Sequence, residues 1–141
     1  MRTPRRGLLA LATVAGAALA LIIPSAASAA YYGSETDYAL SSSGPTDGYE
    51  CVEGTGVIAC FRAYGDVFYV KDTKADGYSA VAEWHMLGFA TRTGSCVNKL
   101  GEGEWGICNK NLTEGRELVL TAARYNSGNF VDYGSRETLY T

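Results

Sequence analysis

The chain has 141 residues, with 12 basic and 15 acidic side chains and a formal net charge of −3. This length fits a single domain with a modest core. The charge balance leaves no basic excess, which argues against nucleic acid or an anionic membrane surface as a partner. No cofactor motif is present, and we predict no cofactor.

The first 29 residues predict a secretory signal peptide. Arg2, Arg5 and Arg6 precede an apolar run over residues 7–23, and a small-residue motif predicts cleavage after Ala29. Cleavage would remove these three arginines and leave nine basic against 15 acidic residues, a net charge of −6. No second run of membrane-spanning length follows, so we predict an extracellular protein. General secretion is the expected route, with twin-arginine export or a retained anchor as alternatives.

Residues 30–48 are polar and rich in Ser and Gly, which predicts a loose N-terminal segment with an edge strand near residues 38–40. Residues 49–141 predict one β domain, because short apolar runs alternate with glycine turns and none keeps a helical period. We expect an all-β fold, a small antiparallel β-sandwich or barrel of about seven or eight short strands.

The first hairpin is predicted from a two-residue turn at Thr55 and Gly56, which places Cys51 opposite Cys60. The two cysteines fall on a non-hydrogen-bonded pair, where side chains approach closely, so the register favours a cross-strand disulfide. No Cys-x-x-Cys spacing indicates a redox or metal site, and an exported chain keeps its cysteines oxidised.

A second turn at Gly65 and Asp66 extends this hairpin into a three-stranded meander in which Arg62 faces Tyr69. The alternation separates an apolar face from an amphipathic one, and a slip by one residue would mix them. The apolar face comprises Val57, Ala59, Phe61, Ala63, Phe68 and Val70, and the amphipathic face comprises Cys60, Arg62, Tyr64, Val67, Tyr69 and Lys71.

The segment from Cys96 to Cys108 repeats the plan of the first hairpin, with Cys-Val, a Gly-x-Gly turn, an Ile and a returning Cys. We predict a second stapled hairpin, closed by a three-residue loop at residues 101–103, and a disulfide between Cys96 and Cys108. Further strands are predicted near residues 79–86, 105–110, 117–125 and 137–140.

One run of the sequence carries a resemblance. The segment FYVKDTKADGYSAV, from Phe68 to Val81, together with the Ala- and Leu-rich leader and the Cys-paired β pattern, resembles small secreted proteins of Streptomyces and related actinobacteria. That group has no assigned activity. The resemblance implies secretion and a compact β fold, and it carries over no catalytic residues.

Aromatic side chains give the candidate binding surface. Tyr64 and Tyr69 share the amphipathic face with Arg62 and Lys71, and Trp84 either joins this face or packs in the core, depending on one residue in the preceding loop. An exposed Tyr and Trp face suits a sugar ring or a protein partner. The leading interpretation is a non-catalytic extracellular protein that binds a glycan, the cell wall or a secreted protein.

Two other functions are open. An inhibitor of a secreted hydrolase would use the stapled loops at residues 54–56 and 99–104, since preorganised loops lose little entropy on binding. A small enzyme would use Glu83 and His85, which point to one face of a strand as carboxylate and general base. Residues 72–83 partly match a calcium loop, but Lys74 stands where an oxygen ligand belongs, so we predict no metal site.

Overall fold

Short apolar segments separated by glycine turns form ten β-strands in the computed structural model, which describes residues 30–89 and 91–141. The predicted signal peptide, residues 1–29, lies outside the described residues. The all-β class is confirmed, with more strands than the seven or eight expected. The strands are β1 (Glu35–Tyr38), β2 (Leu40–Ser42), β3 (Glu50–Gly54), β4 (Val57–Arg62), β5 (Val67–Asp72), β6 (Ser79–Met86), β7 (Thr93–Asn98), β8 (Trp105–Asn109), β9 (Glu117–Asn126) and β10 (Asn129–Tyr140).

The strands form two five-stranded sheets that pack face to face as a sandwich. Sheet 1 has the order β1-β7-β6-β9-β10, and sheet 2 has the order β2-β8-β5-β4-β3. Neighbouring strands are antiparallel except β1 and β7, which are parallel. Alternation along each strand sends every second side chain between the sheets, which builds the core.

The first predicted hairpin is confirmed residue by residue, with Val52 opposite Ala59 and Cys51 opposite Cys60. The next pairing differs by two residues, because Phe61 faces Phe68 where Val70 was expected. A four-residue turn replaces the two-residue one, and its last residue is Asp66. The Asp66 carbonyl and carboxylate accept hydrogen bonds from the amides of Lys110 and Leu112, distant contacts that a local turn rule does not include.

The predicted faces of the meander survive this shift, because a shift of two residues leaves every side chain on its original face. The face turned to the other sheet is apolar as expected. Its buried members are Val52, Val57, Ala59, Phe61, Phe68 and Val70, with Ala63 packed at the margin.

The second disulfide has the predicted partners but not the predicted setting. Cys96 and Cys108 are bonded, yet Cys96 lies on β7 in sheet 1 and Cys108 on β8 in sheet 2. The expectation of a second stapled hairpin is therefore wrong, and this bond joins the two sheets. The buried Asn98 side chain holds the crossover by donating to the carbonyls of Val70 and Glu104, both at 2.8 Å.

The N-terminal segment is more ordered than predicted. It contributes β1 to sheet 1 and β2 to sheet 2, and the buried Ala39 lies between them. At the opposite side of the sandwich, the Ser135 hydroxyl accepts from the Glu53 amide and donates to the Glu53 carbonyl, both at 2.9 Å. The two sheets are thus linked along both edges.

Candidate functional site

A small cleft opens on the outer face of sheet 1. Alternation along β6 turns Glu83 and His85 outward and Trp84 into the core. Glu83 faces Thr121 on β9, and Thr121 faces Arg136 on β10, so these three residues form one cross-strand row. The cleft has a volume of about 120 Å³ and is named here the Glu83 cleft; its lining residues are Tyr32, Glu83, Trp84, His85, Val119, Thr121, Tyr133 and Arg136.

Glu83 is buried at the base of this cleft, with 3% of its surface exposed. The Tyr125 hydroxyl donates a hydrogen bond to its Oε1. Burial raises the pKa of Glu83 above its usual range, while the Tyr125 hydrogen bond and the charge of Arg136 act in the opposite direction. Burial, reinforced by the negative charge of Glu83, also raises the pKa of Tyr32 and of Tyr133.

Glu83 has no ion-pair partner within 4 Å in the described residues, although Arg136 lies on the cleft rim. One strand, β9, lies between the backbones of Glu83 and Arg136, which are therefore about 10 Å apart, or two of the usual strand spacings. The Arg136 side chain is exposed to solvent. Among the described residues, the carboxylate thus has one hydrogen-bond donor, the neutral hydroxyl of Tyr125, and it lines the cleft.

A line of aromatic rings, named here the aromatic row, crosses the same face of sheet 1. Tyr38 contacts Tyr31 edge-on at 6.2 Å between ring centroids, and Tyr31 contacts Tyr125 at 5.0 Å. Phe130 lies 5.8 Å from Tyr125 and 4.3 Å from Tyr133. Tyr133, which also lines the Glu83 cleft, is 50% exposed. The row thus ends in exposed rings beside the buried carboxyl group.

The N-terminal segment provides one wall of the Glu83 cleft. The Ser95 hydroxyl on β7 donates to the Tyr32 carbonyl at 2.7 Å, and the Ser34 amide donates to the Thr93 carbonyl at 3.1 Å. These bonds hold Tyr32 against the outer face of sheet 1, next to Glu83. A site on this face therefore needs residues from both ends of the folded domain.

The residues predicted as a binding surface are not all brought together. Arg62, Tyr69 and Lys71 share the outer face of sheet 2, but Tyr69 is 5% exposed and the Arg62 guanidinium lies over its ring at 5.9 Å. Tyr64 is 89% exposed on the β4–β5 turn. Trp84 is 1% exposed and stacks on Phe68 at 5.6 Å, so the core placement is confirmed.

The two residues predicted for an enzyme, Glu83 and His85, do line one cleft, as their spacing indicated. The partial calcium loop does not assemble. Asp76 pairs with Arg124 at 2.6 Å, Asp72 accepts the Lys74 amide at 2.9 Å, and Glu83 lies in the cleft. No cluster of three metal-ligating side chains occurs among residues 30–89 and 91–141.

Sequence reasoning missed Tyr32, Tyr125, Tyr133 and Arg136. One signal was present: Ser127-Gly128 forms a two-residue turn with φ of 51° and 83°, which places Tyr125 opposite Phe130. The positions of Tyr133 and Arg136 depended on two register shifts in β10, between Phe130 and Asp132 and between Tyr133 and Arg136. The first shift turns Tyr133 to the outer face, and the two shifts together place Arg136 opposite Thr121.

Comparison with known family models, curated proteins and solved structures finds no match for this chain. Within the described residues, no helix has the length and apolar character needed to cross a membrane. The two disulfides are compatible with an extracellular protein.

Proposed function

We propose that this chain is a secreted protein that binds a glycan on the outer face of sheet 1. The observation that carries the proposal is the position of the buried Glu83 carboxyl group beside the half-exposed ring of Tyr133. A sugar presents an apolar ring face for aromatic stacking and hydroxyl donors for a carboxylate. Secretion rests on the predicted signal peptide, and an actinobacterial origin stays a prediction.

The geometry favours the Glu83 cleft over the surface predicted on sheet 2. Tyr69 and Trp105 on sheet 2 are each covered by a cation of the protein, Arg62 at 5.9 Å and Lys71 at 5.6 Å from the ring centroids. Phe130 and Tyr133 on sheet 1 are half exposed. An accessible ring next to a convergent polar group is the usual composition of a small-ligand site.

Glycan binding is also favoured over the type of glycan hydrolysis that a pair of carboxyl groups catalyses. Such hydrolysis uses two carboxyl groups about 5–10 Å apart. Glu83 is the one carboxylate among the described residues that line the cleft. Catalysis by Glu83 and His85 stays a hypothesis, and it requires product formation that His85→Ala abolishes.

The test is a pull-down of the oxidised chain, lacking the predicted leader, on insoluble chitin, cellulose and peptidoglycan. We expect retention on at least one of them. Tyr133→Ala should release the protein, whereas Tyr64→Ala, which alters an exposed tyrosine on the β4–β5 turn, should not. Full recovery of the wild type in every supernatant, or equal retention of Tyr133→Ala, would contradict the proposal.

A further inference from the structure

We infer that the ligand brings a protonated amine to Glu83, which makes an amino sugar with a free ammonium group the preferred ligand class. This inference rests on the proposed function and specifies the chemistry of the same site. It follows from two properties of the cleft within the described residues: Glu83 has no ion-pair partner within 4 Å, and no protein cation lies over the rings of Tyr32 and Tyr133.

The first property is the charge environment of the carboxylates. Among the buried and half-buried carboxylates of the described chain, four form ion pairs with Lys or Arg, and these are Glu35, Asp37, Asp76 and Asp132. Asp66 and Asp72 each accept a backbone amide, from Leu112 and Lys74. Glu83 likewise has no ion pair, its one protein donor among the described residues is the neutral hydroxyl of Tyr125, and it lines the Glu83 cleft. A buried carboxylate without a cation is costly, so a ligand cation would gain strongly there.

The second property is the distribution of cation–π contacts. Within the described residues, cations of the protein lie over the rings of Tyr31, Tyr38, Tyr69, Tyr78, Trp84 and Trp105. The rings of Tyr32 and Tyr133, which wall the cleft, have no such cation in the described part of the chain. A tyrosine face next to a carboxylate attracts an ammonium group through the ring quadrupole as well as through the charge.

Other polar groups around Glu83 determine how an amino sugar would be oriented. His85 follows on the same face of β6, Tyr125 and Thr121 come from β9, and Arg136 comes from β10. The exposed guanidinium of Arg136 repels an ammonium group but donates to hydroxyl oxygens. We therefore expect the ammonium group to point toward Glu83 and the hydroxyl groups toward Arg136.

Acetylation of the amine provides the test, because it removes the positive charge and keeps the sugar ring. Calorimetry should compare glucosamine oligomers with N-acetylglucosamine oligomers of equal length, using wild-type protein and three variants. Glu83→Gln removes the carboxylate, and Glu114→Gln removes an exposed carboxylate elsewhere, as a control for the overall negative charge. Arg136→Gln removes the repelling cation at the rim.

We expect wild type and Glu114→Gln to bind the glucosamine oligomer about tenfold more tightly than the acetylated one, as one charge-assisted bond would give. Glu83→Gln should abolish this preference, and Arg136→Gln should increase it. Equal affinities in wild type, or a preference that survives Glu83→Gln, would overturn the amine inference while the glycan proposal stands. No binding of either oligomer, together with no retention on any polysaccharide, would overturn both, and the wild-type comparison does not depend on any variant folding.

Discussion

The Tyr125 hydroxyl donates a hydrogen bond to the buried Glu83 carboxyl group, with both residues on the outer face of sheet 1. Because burial raises the pKa of Glu83, the folded chain holds the carboxyl proton of Glu83 more tightly than the unfolded chain does. Between the unfolded and the folded pKa, the folded state binds more protons, so the free energy of unfolding decreases as pH rises. Glu83 therefore lowers stability at neutral pH, a common property of functional carboxyl groups.

Glu83→Gln should make the protein more stable at pH 7. The amide keeps the shape of the side chain and an oxygen that can accept from Tyr125, and it removes the desolvated charge. Urea unfolding at pH 7 and at pH 4 would measure the effect, which should shrink at pH 4 because wild-type Glu83 is then largely protonated. Glu114→Gln is the exposed control and should be neutral at both pH values. A lower stability of Glu83→Gln than of wild type at pH 7 would refute this prediction.

Glu35 should have the opposite pH dependence. Hydrogen bonding to Arg92, together with Lys110, lowers the pKa of Glu35 to about 2. Its stabilising effect is thus complete above the unfolded pKa of about 4.3 and is lost as pH falls toward 2. The thermal midpoint of the wild type should fall between pH 6 and pH 2. Glu35→Gln should have a lower midpoint than wild type at pH 6, and its midpoint should fall less on acidification. Parallel curves for the two proteins would show that another group causes the acid sensitivity.

Loss of the inter-sheet disulfide should destabilise the chain more than loss of the hairpin disulfide. Each bond closes a short loop, with sequence separations of 9 and 12, worth roughly 2.5–3 kcal/mol in the chain-entropy model. Cys96 and Cys108 belong to the main core, so their replacement also leaves a cavity. The paired Cys96→Ala/Cys108→Ala and Cys51→Ala/Cys60→Ala variants should be compared by urea unfolding. Equal losses would indicate that the core contact adds nothing.

Tyr69→Ala should weaken the fold and leave binding intact. Tyr69 is buried under Arg62, so its truncation should cost roughly 3 kcal/mol, by analogy with other large-to-small changes. The exposed Tyr64→Ala should change stability by no more than about 0.5 kcal/mol. Denaturation and glycan pull-down on both variants would separate the two effects. Loss of binding by well-folded Tyr69→Ala would indicate that the binding site lies on sheet 2.

The parts of the fold that depend on local turn chemistry were predictable from the sequence. The turn at Thr55 and Gly56 sets the register of the first hairpin, including Cys51 opposite Cys60. The next register failed because Asp66 is held by Lys110 and Leu112, far along the chain. Even so, the predicted apolar face was correct, because a register shift of two residues keeps every side chain on its original face.

The candidate site was harder to predict because its residues meet through long-range geometry. Glu83 and His85 share a face by simple alternation, which the sequence contains. Irregular register in β10 turns Tyr133 to that face and places Arg136 opposite Thr121, and Tyr32 reaches the face through its hydrogen bond with Ser95. No local pattern specifies these contacts. The same reason explains why a hairpin was wrongly predicted between Cys96 and Cys108. The strand of Cys108, β8, pairs with β5 in sheet 2 and not with β7.

The most direct test of the central claim is a two-dimensional NMR titration of the oxidised protein with glucosamine oligomers, following the backbone amides of both sheets. We predict that the shifts concentrate on the outer face of sheet 1, around Tyr32, Glu83, Tyr133 and Arg136, and that Tyr133→Ala suppresses them. Shifts confined to sheet 2 or to the loops at residues 54–56 and 99–104 would contradict binding at the Glu83 cleft, and no shifts with a large excess of the oligomer would contradict binding of an amino sugar there.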